Sequence, residues 1–124
     1  IGAGLVALFQ SHTVVGLTML FTGVGILVSE TTTNTASATM VVPIAIAVSQ
    51  AAGVDPLKPA LATCLGCSMG FLLPVSTAPN AMAYGTACIP LKTMMRHGLW
   101  LDAVAWVVIV STVLLLGPSL PPKP

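Results

Sequence analysis

The stretch Ser-Glu-Thr-Thr-Thr-Asn-Thr at residues 29–35 interrupts the most apolar part of this sequence. It follows TVVGLTMLFTGVGILV at 13–28 and precedes ASATMVVPIAIAVS at 36–49, two runs without a charged side chain. A helix needs about 20 apolar residues to cross the roughly 30 Å hydrocarbon core of a bilayer. Both runs are shorter than that. The pattern therefore predicts a re-entrant helical hairpin whose polar tip lies inside the membrane.

A second interruption follows further along the chain. The apolar segment 60–73 is followed by PVSTAPN at 74–80 and then by the apolar segment 81–89. Proline has no backbone N–H and cannot continue the helical hydrogen-bond ladder. These residues predict one broken transmembrane helix made of two half-helices. After the loop 90–97, the apolar stretch 98–117 predicts a full C-terminal transmembrane helix.

Composition indicates lipid as the solvent. Hydrophobic residues make up 56% of the chain and charged residues 6%, and the mean hydropathy is +1.00. A soluble domain averages about 25% charged residues. We therefore expect an all-α, multi-pass protein of the cell membrane over residues 1–117, with an exposed Pro-rich tail at 118–124. Because Ile1 opens directly into apolar sequence, we also expect this chain to be a piece of a longer protein.

Several classes of function are disfavoured by the residues. The net charge of +1 indicates no nucleic-acid partner, which would require a basic patch. The sequence has no H-E-x-x-H, G-x-S-x-G or P-loop pattern, so we expect neither an enzyme nor an organic cofactor. Cys64 and Cys67 have C-x-x-C spacing without a second pair, and we favour packing over a metal or redox site.

Interrupted helices create binding chemistry. The carbonyl end of a helix carries partial negative charge suited to Na⁺, and the N–H end carries partial positive charge suited to an anion. The tip adds hydroxyls and the Asn34 amide, and the second break adds Ser76, Thr77 and Asn80, with Asn80 as the expected cap of the second half-helix. Placed together, the two breaks would form one neutral, oxygen-rich site. The alternatives are a helix cap with a wet loop at the tip and a simple proline kink at the second break.

Three ionisable side chains lie near these features. Glu30 adjoins the tip, and an ionisable group inside a membrane is a functional candidate by default. The alternatives for Glu30 are a water-filled cavity or a partner helix outside this chain. Asp102 and His97 are expected near the ends of the last span, at the membrane interface.

The residues also carry a resemblance to a known family. In order and spacing, SETTTNTASATMVVP at 29–43, GVDPL at 53–57 and FLLPVSTAPNA at 71–81 resemble the C-terminal half of the divalent anion:sodium symporters. That family includes sodium–dicarboxylate, sodium–citrate and sodium–sulfate cotransporters. Its second Ser-Asn-Thr tip corresponds to 33–35 here, and its Pro-Val-Ala-Thr-Pro-Pro-Asn break to 74–80. Ser76 and Ala78 depart from that pattern.

The resemblance implies a set of ligands. Residues that would contact a substrate carboxylate are Thr33, Asn34, Thr35, Thr77 and Pro79. Residues that would form a sodium site, several through backbone carbonyls, are Ser29, Thr32, Asn34 and Ser76. The resemblance also implies two inverted repeats, of which this chain is most of one. The missing N-terminal repeat would supply the other tip and the first sodium site, and the full-length protein would be a homodimer.

The function expected from these features is sodium-coupled secondary transport of a small divalent anion by an elevator-type mechanism. A C4-dicarboxylate is the favoured substrate, and Na⁺ is the coupling ion. Two alternatives stay open: a sodium-independent anion exchanger on the same fold, and a non-transporting membrane subunit or channel fragment.

Overall fold

The computed structural model describes residues 2–117, which form five helices and contain no strand. This confirms the all-α fold class. The predicted tail at 118–124 lies outside the described residues. The helices are α1 (Gly2–Thr31), α2 (Asn34–Ala51), α3 (Leu57–Gly66), α4 (Ala78–Gly85) and α5 (Leu91–Leu116).

Helix α1 is longer than the arm that the apolar pattern predicted. It has 30 residues, or about 45 Å at 1.5 Å per residue. Its part Thr13–Thr31, like α5, is long and apolar enough to cross a membrane. The polar residues Ser29–Thr31 are still helical, and hydroxyls after Val28 bond to a carbonyl one turn earlier. Thr31 Oγ1 donates to the Val28 carbonyl at 3.1 Å, and Thr32 Oγ1 donates to it at 2.9 Å.

Helix α2 folds back along α1 after an interruption of two residues, Thr32 and Thr33. Phe21 of α1, Val41 and Ala45 of α2, and Cys67 after α3 form one buried apolar cluster. Helices α1 and α2 therefore pack against each other. That they form a re-entrant hairpin inside a bilayer remains a prediction.

Helix α3 crosses α1 at a close approach between backbones. A Cβ added to Gly66 would lie 2.7 Å from the Thr22 carbonyl oxygen. The hydroxyl of Thr22 is turned along its own helix, where it donates to the Thr18 carbonyl at 2.6 Å. In a membrane, the hydrophobic effect does not drive helices together, because lipid tails are as apolar as the side chains. Small residues at such crossings instead let the two backbones pack closely.

Helix α5 packs against both α1 and α3. Its Ile109 and Val113 share a buried cluster with Ala62 of α3. The indole Nε1 of Trp106 donates to the Met19 carbonyl of α1 at 2.9 Å.

The interruption between α3 and α4 is longer than the sequence predicted. Helix α3 ends at Gly66 and α4 begins at Ala78, so residues 67–77 are non-helical, whereas the proline pattern placed the break at 74–80. The extension has a tertiary cause. The N–H groups of residues 71–73 donate to the Glu30 carboxylate and not to carbonyls of a preceding helical turn.

Candidate functional site

The tip between α1 and α2 is fixed by its own hydroxyls. Thr33 caps α2 with an extended backbone, and its side chain accepts the Ala36 N–H at 3.3 Å. The Thr33 carbonyl accepts from the Ser37 N–H at 2.9 Å and from the Ser37 hydroxyl at 3.0 Å. The Ser37 hydroxyl also shares a hydrogen bond of 2.7 Å with Thr32 Oγ1. Sequence reasoning missed Ser37, although its spacing one turn after Thr33 was a usable signal.

In the second break, polar side chains bond to two backbone carbonyl groups, those of Gly70 and Leu73. Ser76 Oγ lies 2.8 Å from the Gly70 oxygen and 2.9 Å from the Leu73 oxygen. The Asn80 amide also donates to the Gly70 oxygen, at 2.8 Å. The expectation that Asn80 caps α4 is wrong. Thr77 is the cap, and its hydroxyl accepts the Asn80 N–H at 3.4 Å, which leaves the Asn80 side chain to turn back into the break.

The two breaks lie against each other. Ser29 Oγ lies 2.8 Å from Asn34 Oδ1 and 2.9 Å from the Cys67 oxygen, and the Asn34 amide donates to the Ser68 oxygen at 3.2 Å. A Cβ added to Gly70 would lie 3.2 Å from the Ser29 hydroxyl and 3.1 Å from the Ser76 hydroxyl. A side chain at residue 70 would be in tight contact with both hydroxyls, so Gly70 lies where the two breaks meet.

The structure separates the implied ligands into groups. Ser29 and Ser76, both buried, approach Gly70, and the half-buried Asn34 contacts Ser29. Thr32 is turned toward Ser37. The remaining residues lie at helix N-termini: Thr33 and Thr35 are exposed at the start of α2, and Thr77 and the exposed Pro79 are at the start of α4.

The cluster around Gly70 is rich in neutral oxygen. It contains the hydroxyls of Ser29 and Ser76, the Asn34 amide, and the backbone carbonyls of Cys67 and Ser68. Hard cations prefer oxygen ligands, and interrupted helices supply them in transporters. The first N–H groups of α2 lack carbonyl partners within their own helix, which is a setting suited to an anion. The arrangement can therefore hold a cation and a carboxylate side by side.

Glu30 shapes the break from α1. It is 3% exposed, and both of its oxygens accept backbone N–H groups. Oε1 accepts the Phe71 N–H at 2.9 Å, and Oε2 accepts the Leu73 N–H at 3.0 Å. The Leu72 nitrogen lies 3.1 Å from each of the two oxygens. Glu30 thereby holds the backbone between Gly70 and Ser76 in a non-helical path. The residues next to Glu30 in the sequence did not reveal this role, because its partners at 71–73 come after α2 and α3.

Asp102 does not lie near the end of its helix. The expectation assigned it to the start of a span at 98–117, but α5 begins at Leu91, so Asp102 lies well inside the helix. It is 7% exposed, and its Oδ1 is buried without a hydrogen-bond partner among the described residues. Gly98, one turn earlier in α5, lies directly against the backbone of residues 71–72 in the second break. His97 is exposed, and its Nδ1 lies 2.8 Å from the Thr93 oxygen.

Comparisons with known proteins identify the family. A family model described as the sodium:sulfate symporter transmembrane region matches residues 2–120. Over 90 residues, or 73% of this chain, the sequence is 40% identical to the sodium-dependent dicarboxylate transporter SdcS of Staphylococcus saprophyticus. It is 36% identical over the same length to proteins of that name from Staphylococcus aureus strains MRSA252 and N315. The matched part is 17% of the length of each relative. The chain therefore belongs to the sodium:sulfate symporter family of membrane transporters, which confirms its resemblance to the divalent anion:sodium symporters.

Proposed function

We propose that this chain is part of a sodium-coupled symporter that carries a small dicarboxylate, of the C4 class, across the cell membrane. The observation that carries this proposal is the meeting of two helix breaks at Gly70, where Ser29 and Ser76 approach each other and Asn34 contacts Ser29. The names of the relatives, sodium-dependent dicarboxylate transporters, support the substrate class and the coupling ion.

The proposed sodium site uses Ser29, Thr32, Asn34 and Ser76. Ser29 Oγ lies between Asn34 Oδ1 and the Cys67 carbonyl, at 2.8 Å and 2.9 Å. A cation there would replace the Ser29 hydrogen as the partner of these oxygens, and the hydroxyl would rotate to offer a lone pair. Thr32 would contribute its carbonyl oxygen, since its hydroxyl is committed to Val28 and Ser37.

The proposed dicarboxylate site uses Thr33, Asn34, Thr35, Thr77 and Pro79, at the N-termini of α2 and α4. One substrate carboxylate would face hydroxyls and the positive end of α2. A bound cation lowers the cost of bringing a dianion into a site of low dielectric, so the two ligands bind cooperatively. The second carboxylate would be held by residues of a missing N-terminal repeat.

An elevator-type movement is consistent with how the two breaks are joined. Glu30 of α1 binds three N–H groups of the second break, and Ser29 and Asn34 reach the carbonyls of Cys67 and Ser68. These bonds favour movement of the hairpin and the broken helix as one body. We further propose that the full-length protein has two such repeats, spans the bilayer several times and forms a homodimer.

The proposal is tested by uptake of labelled succinate into proteoliposomes that contain the protein carrying this chain. We expect uptake driven by an inward Na⁺ gradient and little uptake when K⁺ replaces Na⁺. Uptake by exchange for internal succinate, at an equal rate with either cation, would identify a sodium-independent exchanger. Absence of uptake under every gradient from a folded preparation would identify a non-transporting subunit.

Asn34→Ala is expected to lower succinate uptake at least about tenfold at limiting Na⁺, because one hydrogen bond to an ionic ligand contributes about 1.5–3 kcal/mol. Asn34 is the one side chain assigned to both ligands. Thr39→Ala is the matched control, since Thr39 is exposed on the same helix and its hydroxyl bonds only to the Ala36 carbonyl. Equal uptake by the two variants, with equal thermal stability, would contradict the assignment of Asn34.

A further inference from the structure

Asp102 is a buried carboxyl in the interior of the last helix. It is 7% exposed, and its Oδ1 has no hydrogen-bond partner among the described residues. Helix α5 begins at Leu91 and is long and apolar enough to cross a membrane, so Asp102 lies about 17 Å along a candidate span. Charged side chains at such a depth are costly and almost always pair with another group. A partner for Asp102 is therefore expected outside the described residues.

Asp102 lies at the edge of an open cleft. The cleft is bordered by Asp102 and Trp106 of α5 and by Gly23, Ile26 and Leu27 of α1. Its volume is about 220 Å³, whereas one water molecule occupies about 30 Å³ of the liquid. The cleft therefore has room for a long side chain that enters from outside the two helices.

The residues that border the cleft do not offset a charge on Asp102. The three residues of α1 have no polar side-chain group. The indole N–H of Trp106 is committed to the Met19 carbonyl at 2.9 Å. An unpaired carboxylate in such an apolar setting is costly, so the cleft favours an occupant that brings a positive charge.

The basic side chains of residues 13–117 lie elsewhere. Lys92, Arg96 and His97 are exposed in the first two turns of α5, and Lys58 is in the first turn of α3. None of them borders the cleft. The positive charge has to come from another part of the protein or from a bound molecule.

A basic side chain fits the cleft better than an ion or a lipid. A hard cation needs several oxygen ligands, and the other side chains around the cleft carry no oxygen. A lipid headgroup belongs to the membrane surface, whereas Asp102 lies in the interior of its helix. Lys and Arg carry their charge on an apolar stem, which matches the apolar walls.

The remainder of the protein can supply such a side chain. The matched part is 17% of the length of each relative, so most of a family member lies outside a segment of this kind. The rim of the cleft is also apolar and open. Leu27 is 70% exposed, and Leu20, two turns earlier on α1, is 59% exposed. A helix packed on this rim would cover both leucines and bring its own side chain to Asp102.

We propose that the cleft beside Asp102 is the docking site of a transmembrane helix from the remainder of the same polypeptide, and that a Lys or Arg of this helix forms an ion pair with Asp102. The pair supplies the missing donor for Oδ1 and fastens the incoming helix to α1 and α5. This contact does not depend on which anion or cation the protein transports.

The direct test is photo-cross-linking in the full-length protein that carries this chain, reconstituted in lipid. With a benzophenone amino acid in place of Leu27, we expect a link within one polypeptide to a helix that contains Lys or Arg and lies outside residues 1–124. The same amino acid in place of Trp100, which is also 70% exposed but does not border the cleft, should not link to that helix. Links from position 27 only to lipid, to a second copy or to a helix without Lys or Arg would overturn the proposal, as would the absence of any link to protein.

A double-mutant cycle then tests the charge. Asp102→Asn and replacement of the linked basic residue by Met should each lower the unfolding midpoint, because each change leaves one buried charge unpaired. The double variant should be more stable than the sum of the two losses predicts. Asp55→Asn, in the loop before α3, is the control and should give additive losses with the same Met variant.

Additive losses for Asp102→Asn as well, or an Asp102→Asn variant as stable as the wild type, would overturn the ion pair. If a single variant does not fold, the double variant should be recovered in folded form, because it contains neither charge. Failure of the double variant to fold would also overturn the pair.

Discussion

Gly98→Ala is expected to detach α5 from the second break and to lower thermal stability. A Cβ at residue 98 would overlap the Phe71 carbonyl oxygen and lie 2.6 Å from the Leu72 Cα. Overpacking usually costs about 1–3 kcal/mol when side chains can adjust. Here the obstructing atoms are backbone, and Glu30 holds that backbone in place, so we expect a cost at or above the upper end of that range.

Gly16→Ala provides the control for this measurement. A Cβ at Gly16 meets nothing within 4 Å, and alanine has the higher helix propensity. The unfolding midpoint in detergent should therefore stay the same or rise for Gly16→Ala and fall by many degrees for Gly98→Ala. Equal midpoints would show that α5 does not rest on residues 71–72 in the folded protein.

Glu30→Ala is expected to be the most disruptive polar substitution. It removes the acceptor for the N–H groups of Phe71, Leu72 and Leu73, whose bonds to the carboxylate are partly buried. Each buried donor left without a partner costs about 1–3 kcal/mol. Partial relaxation of the break should leave a net loss of about 3–5 kcal/mol, as for other broken buried charge networks.

The adjacent Thr31→Ala variant is the matched control, because Thr31 is exposed and its hydroxyl bonds only to the Val28 carbonyl. Glu30→Gln should fall between the two, since its amide retains one accepting oxygen. Thermal unfolding and succinate uptake should be measured on the same preparations. If Glu30→Ala is as stable as Thr31→Ala, the carboxylate does not organise the break.

The sequence located both helix breaks because polar residues interrupt one apolar run and prolines interrupt the other. It misplaced their edges for two reasons. Ser and Thr can remain helical by bonding backward, so α1 continues to Thr31. The second break begins after Gly66 because its N–H groups bind Glu30, and local proline positions carry no information about a carboxylate on another helix.

The candidate site was predictable to a similar extent. The resemblance pointed to Ser29, Asn34 and Ser76, which converge in the structure. Gly70 and Asp102 were missed because their importance arises only from tertiary packing. A glycine between two serine hydroxyls and an aspartate buried in the middle of a helix have no signature in the local sequence.

The hydrogen bond from Trp106 to the Met19 carbonyl gives the molecule an intrinsic optical probe. Its two tryptophans occupy contrasting environments, since Trp100 is 70% exposed on the outer surface of α5 while the Trp106 indole is anchored to the backbone of α1. Indole emission is sensitive to hydrogen bonding at Nε1. With Trp100 replaced by Phe, the fluorescence of this chain would come from one residue that monitors whether α1 and α5 slide past each other or travel together.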